Sequence, residues 1–210
     1  MAYYVGDIPV EDLVIVPARN DEDLNLDPFE PAAEVTFTGP DGTPVPAEFV
    51  ATVDADAGQV VVEWPDSSVM ADPGVYTLRL VLVTGDNHRE RLQPIYLVAQ
   101  DDTSGWYTLD GAREDWGDAP SSDSRLYQLL ELARERVSAY PYPGCLGSDP
   151  IPTRYKAGQL MQARNLWNAG VVDAGTGAAG DDSTFQLRPW PLDWMIKQTL
   201  SPKSAIPVVG

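Results

Sequence analysis

One cysteine, Cys145, and one histidine, His88, serve all 210 residues of this chain. A single thiol forms no intramolecular disulfide, which fits synthesis in a reducing cytoplasm. A lone histidine supplies neither a metal-ligand set nor a catalytic base beside an obvious nucleophile. Long apolar runs are missing too. The stretch "LVLV" is far too short to span a bilayer, and "MAYYVGDIPVEDL" lacks the basic start and apolar core of a signal peptide. Neither a membrane span nor secretion is expected.

Positive charge is scarce and unevenly placed. The formal net charge is −18. Through Ser104, twenty Asp and Glu stand against four Arg, a net of −16, whereas from Gly105 onward twelve acids stand against ten bases, a net of −2. This contrast predicts two modules with different surroundings. The acid-rich half repels phosphate and disfavours nucleic-acid binding.

What is present in the first hundred residues is a series of β-rich runs separated by turns. "DLVIVPA", "EVTFTG", "AEFVATV", "QVVVEWP", "VYTLRLVLVTG" and "LQPIYLVAQ" each suffice for one strand. Tyr76, Leu78, Leu80 and Leu82 alternate with Thr77 and Arg79, the period of a half-buried antiparallel strand. "PDGTP" and "DADAG" supply turns. Short strands with no helical period between them predict a β-sandwich over residues 1–104. "DADAGQVVVE" has its glycine one place too early for a calcium loop and reads as a hairpin turn. The acid run "NDEDLNLD" reads as a solvated loop, and His88 as part of an exposed loop tip.

The polar stretch "AQDDTSGW" marks a change of pattern and sets the expected domain boundary after Ser104. Beyond it Leu126, Leu129, Leu130, Ala133 and Val137 recur at helical spacing, with Ser122 or Asp123 as the cap and Pro141 as the stop. A short helical turn around Leu109 to Trp116 precedes this helix. Another follows from about Thr153 to Ala169 with Gly170 as its C-terminal glycine, and a last one begins near Asp193. "GTGAAGDD" has phosphate-loop glycines, but Asp181 and Asp182 stand where Lys and Ser/Thr are needed. Cys145 has no histidine in this half to activate it. Arg154, Lys156 and Arg164 form an acid-free basic line, which suits either an acidic partner or compensation of the chain's own acids. No catalytic constellation or cofactor motif emerges, so the chain reads as a non-enzyme without cofactors or metal.

Two resemblances add to this. "PDGTPVPAEFVATVDADAGQVVVEW" followed by "DPGVYTLRLVL" resembles the immunoglobulin-like domains appended to tail and neck proteins of long-tailed bacteriophages. "LYQLLELARERVSAYPYPG", "IPTRYKAGQLMQARNLWNAG" and "WPLDWMIKQTLSPKSAIPVVG", in this order, resemble the head-to-tail adaptor proteins of those phages. The second resemblance covers residues 105–210. The implied architecture is α+β in two domains, an immunoglobulin-like sandwich and a small helical adaptor domain. The implied role is a structural ring, a dodecamer in such adaptors, in the virion neck. It would join the portal to the next neck or tail protein and extend the channel through which double-stranded DNA passes.

Residues 201–210 carry Ile206, Val208 and Val209 with no pattern that satisfies their own backbone, and would gain by lying along a partner. In the adaptors such a tail embraces the portal, so the resemblance assigns portal contact to Trp194, Ile196, Lys203, Ile206, Val208 and Val209. Asp173, Asp181 and Asp182 are candidates for an acidic channel loop past which DNA slides. The competing reading is a binding module, in which the sandwich recognises a cell-surface or carbohydrate ligand and the helices anchor it.

Overall fold

The computed structural model describes residues 2–19, 22–140, 151–175 and 192–201, with side chains described up to 169 in the third stretch. The fold is mixed α and β, with ten strands followed by four helices among the described residues. It forms two compact units, Met1–Asp101 and Asp102–Gly210.

In the first unit, β5 (Glu34–Thr38), β8 (Gly74–Val83), β10 (Ile95–Gln100) and β1 (Ala2–Tyr4) lie side by side in that order. β9 (Arg89–Arg91) pairs with the end of β8, Val83 opposite Arg89. β1 runs parallel to β10, and the other pairings of this sheet are antiparallel. A second sheet has the order β2 (Leu13–Ile15), β7 (Gln59–Glu63), β6 (Val50–Asp54), all antiparallel. β3 (Ala18–Arg19) and β4 (Glu22–Asp23) make a separate two-stranded ribbon. The alternation read in β8 is real: Tyr76, Leu78, Leu80 and Leu82 are buried, and Arg79 is exposed. These side chains share one core with Val60 and Val62 of β7 and Val53 of β6, so the inward faces of both sheets close on a single apolar layer.

Aromatic side chains tighten that layer. The Phe37 and Tyr76 rings stack at 5.2 Å, and Trp64 meets Phe37 edge-on at 6.2 Å. The Tyr76 hydroxyl donates to the Asp72 carbonyl at 3.0 Å and accepts from the Asp72 amide at 3.2 Å, tying the start of β8 to the chain that enters it. The β6–β7 turn places Gly58 at φ +66°, where a side chain is disfavoured, and Asp54 accepts from the Ala57 amide at 3.0 Å. His88 lies exposed in the β8–β9 turn, as expected.

The second unit holds α1 (Leu109–Asp115), α2 (Asp123–Ser138), α3 (Thr153–Gly175) and α4 (Trp194–Leu200). Ser122 caps α2, its hydroxyl accepting from the Arg125 amide at 3.4 Å. Leu126, Leu129, Leu130, Ala133 and Val137 form its buried stripe. Arg113 of α1 pairs with Asp123 at 2.6 Å, fixing α1 to the first turn of α2. α2 packs on α3, and α3 on α4. One expectation is corrected here: α3 continues through Gly170 to Gly175, so Asp173 belongs to a helix and not to a loop. A glycine inside a helix weakens it without stopping it. Asp181, Asp182 and Cys145 lie outside the described residues.

Candidate functional site

The C-terminal helix is the best-defined candidate contact element. Asp193 caps α4, its carboxylate accepting from the Met195 amide at 2.9 Å. Isolated helices shorter than about 12 residues are marginal in water, so this seven-residue helix depends on its seat. Ile196 and Leu200, one turn apart, are fully buried and share a cluster with Trp106, Val137, Tyr155 and Leu192. Gly158 of α3 makes the close approach possible, since a β-carbon there would stand 3.0 Å from Leu200 Cδ2 and 3.7 Å from Val137 Cγ1.

Pinning α4 by these residues turns its other face outward. Trp194 is 65% exposed and Met195 52%. Both are large apolar side chains held at the surface of a docked helix, a type that protein contacts use. Of the expected portal-contact residues, Trp194 is therefore available, and Met195 is a neighbour that the sequence reading passed over. Ile196 is a correction. It faces its own core at 0% exposure and positions the helix, leaving nothing for a partner to touch. Lys203, Ile206, Val208 and Val209 lie outside the described residues.

The expected basic line is also corrected. Lys156, Leu160 and Arg164 do fall on one side of α3, but Leu160 is buried and that side packs against the chain's own aromatic rings. Lys156 Nζ lies 4.6 Å from the centre of the Tyr107 ring, and the Arg164 guanidinium 5.8 Å from that of Trp116. Arg164 also donates to the Asp115 carbonyl. Arg154 covers the Tyr155 ring at 5.7 Å. The three bases are half-buried components of the fold, spread over separate rings, and make no free basic stripe.

A polar clamp accompanies them. Gln159 is fully buried; its side-chain oxygen accepts from the Tyr107 amide at 3.0 Å and its amide donates to the Leu130 carbonyl at 3.1 Å. The Tyr107 hydroxyl donates to Asp115 at 2.6 Å. Desolvation, then the Asp115 hydrogen bond and charge, push the Tyr107 hydroxyl up to about 12. This arrangement holds α1 to α2 and α3. It has no nucleophile and serves structure. The sequence signal for it was the pair of glutamines, Gln159 and Gln162, on the buried side of an apolar helix.

The first unit has a cleft of about 350 Å³ between the Pro40–Pro46 loop and Tyr76. Its Asp41 carboxylate is engaged by the Thr43 amide at 2.9 Å and hydroxyl at 2.7 Å. Those hydrogen bonds hold Asp41 below the usual carboxylate range. Among the described residues no group of three or more His, Cys, Asp and Glu is placed to hold a metal ion, and no helix is long and apolar enough to cross a membrane. No protein-family model, curated protein or solved structure matches the chain.

Proposed function

We propose that this chain is a structural connector of the virion neck in a long-tailed bacteriophage. Copies of it form a ring, a dodecamer by resemblance to the adaptors, that docks on the portal and receives the next neck or tail protein. DNA passes through the ring without specific binding. The observation that carries this reading is the outward Trp194–Met195 pair on a helix pinned by Ile196 and Leu200, at the head of the segment that resembles the adaptor tail. The resemblance of the α2, α3 and α4 sequences to adaptors supports it.

The first unit is read as an immunoglobulin-like domain decorating that ring. Support comes from the order β2–β7–β6 in one sheet and β5–β8–β10–β1 in the other. The Tyr76–Asp72 bond is of the tyrosine-corner type, in which a tyrosine near the start of a strand bonds backbone a few residues upstream.

The alternative, a binding module for carbohydrate or a cell surface, has the Pro40–Pro46 cleft in its favour. Titration with a glycan array separates the readings, because a connector binds portal and no glycan. For the connector itself, deletion of residues 201–210 is expected to leave the chain folded and to abolish stable attachment to purified portal rings. Undiminished attachment would contradict it.

A further inference from the structure

The outer face of the β2–β7–β6 sheet carries an apolar patch that the connector reading does not use. Val14 of β2 stands beside Val61 of β7, and Val61 beside Thr52 of β6. Val50, one step along β6 on the same face, pairs with Glu63. Val14 is 51% exposed and Val50 54%, although both lie in regular strands whose inward neighbours are fully packed. Val14 and Val61 are direct cross-strand neighbours, Thr52 continues their row, and Val50 stands at its corner, diagonal to Val61.

Its surroundings carry one sign of charge. Glu63 and Asp54 lie on the same face. The four bases of the first unit are elsewhere: Arg79 on β8, Arg89 and Arg91 on β9, and Arg19 on β3. Arg89 pairs with Glu34, Arg19 lies 4.0 Å from Glu90, and Arg79 is exposed on the other sheet. The β2–β7–β6 sheet therefore presents an apolar centre with acids and no base.

We infer that this face is a docking surface for a protein partner with an apolar patch flanked by Lys or Arg. Charge complementarity selects that occupant. A second copy is disfavoured, because two such units, each with nineteen acids against four Arg, would be pressed together without an intervening base on this sheet. The inference does not depend on portal binding and concerns the other unit of the chain.

The test uses the full chain, isotope-labelled, and two synthetic peptides with the same Val/Ile centre, one flanked by Lys and the other by Glu. The Lys-flanked peptide is expected to bind saturably, shift the amides of Val14, Val50, Thr52 and Val61, and weaken as NaCl rises. The Glu-flanked peptide is expected not to bind. Val61→Lys, an outer-face change that leaves the core intact, is expected to abolish binding with the remaining spectrum unchanged. Three results would each overturn the inference: no saturable binding of the Lys-flanked peptide, equal binding of both peptides, or shifts confined to other residues. A concentration-dependent dimer that Val61→Lys abolishes would also overturn it, by making a second copy the occupant.

Discussion

Gly158 lies directly under Leu200, so that a β-carbon on α3 would come within 3.0 Å of a methyl group on α4. That separation decides which side chains α4 can turn outward. Alanine at 158 gains about 1 kcal/mol of helix propensity but crowds a flexible leucine methyl, and the two effects oppose each other. Gly158→Ala is expected to stay within about 1 kcal/mol of the parent in urea unfolding. Gly158→Leu has no such room. It is expected to strip hydrogen-exchange protection from Trp194–Leu200 while the first turns of α2, away from Val137, keep theirs. Retained protection of α4 in the leucine variant would contradict the packing described.

Gln159 satisfies two backbone groups of other segments, the Tyr107 amide and the Leu130 carbonyl. Gln159→Leu roughly keeps the volume and leaves the half-buried Tyr107 amide without this acceptor. A loss of about 1–3 kcal/mol is expected, measured by chemical denaturation. A loss within error would mean water replaces the clamp.

The Tyr76 hydroxyl exchanges two hydrogen bonds with the Asp72 backbone. Tyr76→Phe preserves the stacking on Phe37 and removes only those bonds. The expected cost is about 1–2 kcal/mol, read as a lower unfolding midpoint of the first unit. An unchanged midpoint would show that the bonds hold nothing.

The Tyr107 hydroxyl titrates at about 12 in the fold, above its ordinary value of about 10. The folded state therefore holds this proton more tightly than the unfolded state does. Its contribution is fully present below about pH 10 and is lost as the pH rises towards about 12. Tyr3 and Tyr76 are also raised by burial, so the informative quantity is the difference from Tyr107→Phe. Between about pH 10 and 12 the Phe variant is expected to lose less stability than the parent. Parallel losses would refute the assignment.

Periodic elements were legible in the sequence because their own side chains specify them. The leucine spacing of α2, its Ser122 cap and the alternation in β8 each appear where the residues predict. β1, β3, β4 and β9 were not legible. They have two or three residues each, too few to show a period, and exist by pairing with a neighbour. The candidate site was legible only in part. Trp194 was found as an apolar residue on a short helix, but one turn of sequence does not say which side faces in, so Ile196 was given to a partner. Lys156 and Arg164 looked free because the rings that cover them, Tyr107 and Trp116, are distant in sequence.

The connector reading is tested most directly by mixing the purified chain with purified portal rings from the same phage and imaging the mixture by negative-stain electron microscopy. The expected image is a portal with an added ring of this chain beneath it. Trp194→Ser with Met195→Ser, both at exposed positions and so costing about 0.5 kcal/mol or less in stability, is expected to leave the chain folded and the portal bare. Portals that stay bare with the parent chain at saturating concentration would contradict the account, and rings that form equally with the double variant would remove α4 from it.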